Sequence, residues 1–174
     1  CEAHDKRNEI NDTIYMNRLK IFLASIIFCA SAAAQDADIK ILAVNDLHSH
    51  IENFAKLAFI VDSIRAKHPD ALLVTAGANR TGNPVNYQYR ETNLPAIKMM
   101  NRIGFNLSAM GNHECDGGQA AFANTINKSD FPFVAANVYP SDTLRLHLYP
   151  FRFIDVKGVR LEFIGLLALS PAGL

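Results

Sequence analysis

The chain has 174 residues, of which 49% are apolar and 20% are charged, and this is enough apolar material for one packed domain. Its 17 basic and 17 acidic residues give a net charge of zero, and no basic run alternates with aromatic residues. Nucleic-acid binding is therefore not indicated, and the function has to be sought in local motifs.

The first 34 residues differ in character from the rest of the chain. Residues 1–15 are polar and lack an initiating Met, so we interpret them as an upstream segment outside the fold. Residues 16–34 join a cationic start, a short apolar stretch and small residues before Gln35, which is typical of a secretory signal peptide. A buried helix or a membrane anchor is the alternative, but the apolar stretch is too short to span a bilayer. We therefore expect no stable membrane span. We expect export to the periplasm or cell envelope, with Gln35 as the first residue of the mature protein.

From Gln35 onward, short apolar runs alternate with helical periodicity, which is typical of an α/β domain. Strands are predicted over residues 39–44, 71–74, 106–110 and 131–136, and helices over residues 54–64, 94–103 and 120–126. Two more strands, 152–156 and 160–166, flank Lys157-Gly158 as a hairpin turn. The chain stops soon after the last strand, so we expect residues 35–174 to be the N-terminal portion of a longer, here truncated, catalytic domain.

Polar groups follow three of the predicted strands. Asp46 and His48 come after the first strand, two residues apart and so on one side of an extended chain. Residues 77–79 follow the second strand, and the run 111–116, Gly-Asn-His-Glu-Cys-Asp, follows the third. Because ligands of α/β proteins bind at the carboxyl ends of strands, these groups predict a functional site at one sheet edge.

Three motifs in this order resemble the calcineurin-like metallophosphoesterases. They are Asn45–His50, with the sequence Asn-Asp-Leu-His-Ser-His, then Thr81-Gly82-Asn83-Pro84, then Gly111-Asn112-His113-Glu114. Within that family the motifs look most like those of exported bacterial 5'-nucleotidases and UDP-sugar hydrolases, over about residues 38–170. The resemblance implies an α/β fold of the metallophosphatase type, a mixed β-sandwich flanked by helices.

The resemblance also implies a hydrolase with two divalent metal ions, Zn, Mn or Fe, with Mg as an alternative. Asp46 and His48 would hold the first ion, and the amide oxygen of Asn112 would bind the second. His113, steadied by Asp116, would act as proton donor or charge stabiliser for the leaving group. Mixed oxygen and nitrogen ligands suit these metals, and two ions can polarise a phosphoryl group. The implied substrate is a small phosphoester, most naturally a nucleotide.

Two departures from the family pattern leave the activity open. Ala78 stands where the family has an aspartate that bridges both ions, and no Gly-His-x-His segment follows His113. The centre is therefore expected to hold two ions, one or none. One hypothesis is a 5'-nucleotidase-like hydrolase whose 174 residues alone are inactive, with a cyclic-nucleotide phosphodiesterase or UDP-sugar hydrolase as variants. The other is an exported, non-catalytic relative that serves as a scaffold or single-metal binder.

Three neighbouring residues are expected to have lesser roles. Glu114 is interpreted as a residue that caps the dipole of the following helix. His50 is expected beside the site or on the surface, and Cys115 is expected to be a small core thiol rather than a ligand.

Overall fold

The structure is a computed structural model of the chain, and it describes residues 15–18, 20, 36–89, 94–140 and 146–168. The chain divides into two units, residues 1–37 and 38–174. In the first unit, residues 15–18 and 20 are helical, and most of the predicted signal peptide lies outside the described residues. Within the described ranges, no helix is both long enough and apolar enough to traverse a bilayer.

A parallel five-stranded sheet forms the centre of the second unit, with its strands side by side in sequence order. The strands are β1 (Ile41–Val44), β2 (Leu72–Thr75), β3 (Leu107–Ala109), β4 (Phe133–Val134) and β5 (Leu148–Tyr149). The first four lie within or next to the predicted strands. The two-residue β5 was not among the predicted strands, although His147 lies between two leucines in a strand-like run just before it.

Helices connect the first four parallel strands, as crossovers between neighbouring parallel strands require. They are α1 (Phe54–Arg65), the one-turn α2 (Pro84–Tyr87), α3 (Leu94–Ile103) and α4 (Gly118–Ile126), with 3-10 turns at Ile51–Asn53 and Asn112–Cys115. The three longer helices match the predicted ones, and α3 has the predicted ends. Asn93, which precedes the helix and is a candidate N-terminal cap by its residue type, lies outside the described residues.

The core lies between these helices and the sheet. Helices α1, α3 and α4 bury apolar side chains against the strands, with Phe122 of α4 meeting Phe133 of β4 edge to face at 5.7 Å between ring centroids. Each fully buried side chain of this size contributes about 1.5–3 kcal/mol to folding. The fold class is therefore the predicted one, an α/β domain whose parallel sheet is flanked by helices.

A separate antiparallel hairpin follows β5. It consists of β6 (Phe151–Val156) and β7 (Val159–Ile164), and Lys157 and Gly158 both have positive φ at its turn. Two such residues form the tight turn that favours the right-handed twist of paired strands. The predicted hairpin and its turn residues are thus confirmed.

Arg65 at the end of α1 joins the helix to the end of α3. Its guanidinium donates hydrogen bonds to the carbonyl oxygens of Ile103 and Gly104, both at 2.7 Å, and to that of Ala71 at 3.3 Å. A positive charge at the C-terminus of a helix is favourable because the last carbonyl groups have no partner within the helix. Arg65 therefore stabilises the connection that precedes β3.

Candidate metal centre

The loops after β1 and β2 are joined at the carboxyl edge of the sheet. The backbone N–H of Asp46 donates to the carbonyl of Gly77 at 3.1 Å, and that of His48 donates to the carbonyl of Ala78 at 3.0 Å. The parallel pairing of β1 with β2 thus continues into the loops. As a result, the backbone of the Asp-x-His motif is fixed relative to the Gly77-Ala78 segment.

The loop after β3 touches the loop after β2 backbone to backbone. Gly77 has a φ of 106°, and a Cβ atom there would lie 2.5 Å from the nitrogen of Gly111. A Cβ atom on Gly111 would in turn collide with the backbone nitrogen of Ala78. Both positions therefore require glycine, since any side chain would push the two loops apart.

Several residues at this edge have left-handed backbone conformations. The φ values are 51° for Asp46, 44° for His48 and 54° for Ala78. This conformation costs an L-residue other than glycine about 1–2 kcal/mol, and such strain clusters at functional sites. Asp and Asn tolerate it better than Ala does, so the backbone at position 78 is suited to an aspartate.

Asp46 and His48 bring an oxygen and a nitrogen together. The Oδ1 of Asp46 lies 3.7 Å from the Nε2 of His48, and the other carboxylate oxygen accepts a hydrogen bond from the side chain of Asn45 at 2.7 Å. Two ligands of one tetrahedral ion at about 2.1 Å from it are about 3.4 Å apart. The pair is therefore close to the spacing that a shared ion needs.

A second pair, His113 and Asp116, lies against the first. The ring of His48 contacts the ring of His113 edge to face, with centroids 4.6 Å apart. The Nδ1 of His113 is 2.8 Å from Oδ2 of Asp116 and 3.4 Å from Oγ1 of Thr81. Because Nδ1 is engaged, Nε2 of His113 is the nitrogen left for chemistry.

The Asp116 carboxylate is adapted to this role. Partial burial acts to raise its pKa, but the hydrogen bonds from His113 and Thr81, together with the charges of His113 and Arg80, outweigh burial and lower the pKa below its usual value. The carboxylate therefore stays ionised at neutral pH. An ionised partner favours the tautomer and orientation of His113 in which Nδ1 carries the proton.

Asn112 lies on the same turn as His113 but borders a different space. Its side chain is exposed and, with Cys115 and Asp116, lines a cavity of about 590 Å³ that extends to Phe122 of α4. Neither Asp46 nor His48 lines this cavity. The structure thus brings Asp46, His48, His113 and Asp116 together. Asn112 instead lines the cavity, which Asp116 alone of these four residues also borders.

The side chains present supply only part of a metal's coordination shell. Within the described ranges, no group of three or more His, Cys, Asp or Glu residues could hold a metal ion. Ala78 is 4% exposed at the junction of the loops and has no ligand atom in its side chain. The oxygen and nitrogen donors of Asp46 and His48 fit one ion of the expected kind, with other ligands still needed.

Glu114 has a role that its sequence context did not reveal. It is fully buried, and its carboxylate accepts hydrogen bonds from the backbone N–H groups of Gly111, Ala78 and Asn79 and from the side chain of Asn79. The interpretation as a helix-dipole cap was incomplete, because the carboxylate binds another loop as well as its own turn. The sequence signal was the spacing of three residues from Gly111, which is that of a capping box.

Arg80 is a second buried charged residue that the sequence did not single out. Its guanidinium donates to the carbonyl oxygen of Glu114 at 2.6 Å. Burial lowers the pKa of Arg80, while the negative charge of Glu114 opposes that change. The group therefore places a positive charge beneath the turn that carries His113 and Asp116.

The two remaining candidates have the expected lesser roles. His50 is exposed, and its Nδ1 pairs with the carboxylate of Glu52 at 2.7 Å. Cys115 is partly buried against the core, and desolvation raises the pKa of its thiol. A thiol with a raised pKa is a poor metal ligand, because the thiolate is the form that binds.

Known proteins resemble this chain over most of its described length. The 5'-nucleotidase of Vibrio cholerae is 30% identical over 171 residues, which cover 86% of this chain and 30% of that protein. The snake venom 5'-nucleotidase of Gloydius brevicauda is 27% identical over 170 residues, covering 84% of this chain and 29% of that protein. The chain thus spans less than a third of the length of these relatives.

The fold of this chain resembles that of a solved 5'-nucleotidase structure. The 5'-nucleotidase precursor from Thermus thermophilus superposes with a TM-score of 0.69 at 27% identity, covering 74% of this chain and 28% of that one. The family model described as calcineurin-like phosphoesterase matches residues 39–169, which include all the loops of the centre. The chain belongs to the calcineurin-like phosphoesterase family.

Proposed function

We propose that this chain supplies part of the catalytic domain of a metal-dependent phosphoester hydrolase that acts on nucleotides, in the manner of a 5'-nucleotidase. The observation that carries the proposal is the convergence of Asp46 and His48 with the His113–Asp116 pair at the carboxyl edge of the sheet. The names of the relatives support a nucleotide as substrate.

Each residue has a proposed role that follows from the chemistry of its side chain. Asp46 and His48 would hold one divalent ion, and Asn112 would contribute its amide oxygen to a second. When bound, such an ion would supply polarisation of the phosphoryl group. His113 donates a proton to the leaving oxygen or stabilises its negative charge, and Asp116 holds the ring in the orientation that this requires.

The 174 residues by themselves are expected to turn over no phosphoester at an enzyme-like rate. Asp46, His48 and Asn112 are too few ligands for two ions, and Ala78 provides no bridge between them. The direct check is a chromogenic phosphate ester assay on the purified monomeric chain with Zn²⁺ or Mn²⁺. Measurable turnover under those conditions would show that the ligand set is more complete than proposed.

Metal and nucleotide binding test the proposed function without needing turnover. We expect Mn²⁺ to broaden the imidazole NMR signals of His48 and His113 and to spare that of exposed His147. His48→Ala should abolish the effect, and His147→Ala serves as the matched control. AMP should raise the melting temperature of the Mn²⁺-loaded chain more than adenosine does, because the ion acts on the phosphoryl group. No Mn²⁺ effect, or equal shifts with AMP and adenosine, would refute the proposal.

A non-catalytic scaffold or single-metal binder is the second candidate, and Ala78 is the observation that favours it. Metal binding without discrimination between AMP and adenosine would support this interpretation. Within the hydrolase class, UDP-glucose and a 2',3'-cyclic nucleotide compared with AMP in the same assay would separate the related activities.

We also propose that the protein is exported to the periplasm or cell envelope. The support is the signal-peptide pattern of residues 16–34 and the description of the Thermus thermophilus relative as a precursor.

A further inference from the structure

The carboxylate of Glu114 lies at the junction of two strand-end loops. Its side chain is 0% exposed. Oε2 accepts the N–H of Gly111 at 2.7 Å and that of Ala78 at 3.0 Å, while Oε1 accepts the N–H of Asn79 at 2.8 Å and its side-chain amide at 3.2 Å. Four hydrogen bonds use the full accepting capacity of a carboxylate. The negative charge is thus held by donors from the loop after β2 and the loop after β3.

The donors explain the unusual backbone of the second loop. Gly77 and Ala78 are both left-handed, with φ values of 106° and 54°. Consecutive backbone N–H groups in such a turn can converge on one anion, which here is the Glu114 carboxylate. The hydrogen bonds of Glu114 therefore offset the strain in this loop.

The same loop also holds in place the first metal-binding motif, which lies on the loop after β1. The N–H of His48 donates to the carbonyl of Ala78, whose own N–H is bound by Glu114. His113 is the residue before Glu114 on the 3-10 turn. One path of hydrogen bonds between the His48 and His113 rings, whose centroids are 4.6 Å apart, therefore passes through this carboxylate. The bonds of Arg80 to the Glu114 carbonyl and of Thr81 to His113 also join the two loops.

We propose that Glu114 is the positioning residue of this centre: it locks the loop after β3 to the loop after β2, and so sets the separation of His48 and His113. Glu114 is not itself a metal ligand, because it is buried away from solvent and its four hydrogen bonds leave no oxygen lone pair to bind an ion. The metal-binding part of the prediction rests on the proposed function, whereas the geometric part does not.

Glu114→Gln tests the proposal with nearly unchanged shape. The amide NH₂ of glutamine would point at N–H donors, so two of the four hydrogen bonds are lost. Exposed Glu162 of β7 provides the matched control, Glu162→Gln. We expect Glu114→Gln to lose the nuclear Overhauser contact between the His48 and His113 rings while contacts within the core remain. The control variant should keep the ring contact.

Metal affinity gives a second readout. Mn²⁺ affinity at Asp46 and His48 should fall about 10- to 100-fold in Glu114→Gln, which is the usual effect of losing a group that orients a metal ligand. A folded variant with the ring contact and the affinity both unchanged would overturn the proposal. If the wild-type chain binds no Mn²⁺, the proposed function fails, and the ring contact alone still decides the positioning role.

A milder pair of variants covers the case in which Glu114→Gln does not fold. Asn79→Ala removes one of the four bonds to Glu114, together with the bond that the Asn79 side chain accepts from the hydroxyl of Thr75 and the bond that it donates to the hydroxyl of Ser108. Ser108→Ala removes the latter bond and the bond from the Ser108 hydroxyl to the carbonyl of Ala109, and it leaves Glu114 fully bonded. We expect the ring contact of His48 and His113 to weaken in Asn79→Ala and to persist in Ser108→Ala. Equal contacts in both variants would overturn the proposal.

Discussion

Ala78 is the position where a single substitution is expected to change the metal centre most. The residue is 4% exposed where the loops meet, and its φ of 54° is left-handed. An L-residue pays about 1–2 kcal/mol for this conformation, and aspartate adopts it more readily than alanine does. The substitution Ala78→Asp therefore suits the backbone that is already present.

The expected change in stability depends on whether metal is bound. A carboxylate placed at so buried a position loses hydration, which costs at least about 1–3 kcal/mol when no ion compensates it. Relief of backbone strain offsets part of this cost, so we expect the metal-free variant to be about 1 kcal/mol less stable than the wild-type chain. An ion present at a hundredfold excess over its Kd restores about 2.7 kcal/mol.

Thermal unfolding with and without Mn²⁺ measures this difference. For a protein of this size, 1 kcal/mol corresponds to about 2–4 °C in melting temperature, so metal should raise the Tm of Ala78→Asp by about 5–10 °C. Metal content by elemental analysis should rise from about one ion towards two, with higher phosphoesterase activity wherever the remaining ligands are supplied. Ala78→Asn is the matched control, because asparagine also tolerates the left-handed backbone but carries no charge.

Equal metal content and equal metal-induced Tm shifts in the wild-type and Ala78→Asp chains would refute this reasoning. That result would mean that position 78 does not face the ions. If Ala78→Asn gains as much as Ala78→Asp does, the relief of backbone strain explains the gain and the bridging charge does not.

Three further outcomes are expected. The mature protein should begin at Gln35, and intact-mass measurement of secreted material that retains residues 16–34 would exclude this. Arg65→Met should lower the free energy of unfolding by about 2–4 kcal/mol, because three backbone carbonyl groups lose a hydrogen-bond donor. Urea denaturation should show this loss of stability, while Mn²⁺ binding should be unchanged. The pKa of Asp116 is lower in the folded state than its usual 3.8, because the opposing effect of partial burial is outweighed by its hydrogen bonds with His113 and Thr81. These bonds therefore stabilise the fold above that pH, and their contribution is lost as the pH falls through the folded value. Asp116→Asn should flatten the acid side of the stability profile, and an identical acid side in both proteins would contradict the assignment.

Local sequence patterns predicted the elements well where the pattern is long. Helix α3 has the predicted ends, because ten residues with one apolar face give a clear period. Strand β4 is only Phe133–Val134, although residues 131–136 were predicted. An apolar run shows which residues are buried, but hydrogen bonding to neighbouring strands decides how many of them count as strand.

The candidate site residues could be predicted where their proposed role depends on the chemistry of their own side chains. Asp46, His48 and His113 were expected at one edge of the sheet, and the structure places them there. The role of Glu114 was missed, because three of its four hydrogen-bond donors are backbone N–H groups, two of them from a loop some 35 residues earlier. Every residue except proline has such a group, so the sequence does not mark the ones that bind it.

The α/β class, the family and the types of ligand atom could be predicted before folding was considered, because periodicity and side-chain chemistry are local properties. Only the folded chain shows that Gly77 and Gly111 meet backbone to backbone. It also shows that one buried carboxylate joins their loops. The same holds for the left-handed backbone of Ala78, which aspartate tolerates better than alanine does. These features depend on distances between segments far apart in the chain, and such distances exist only once the sheet has brought the strand ends together.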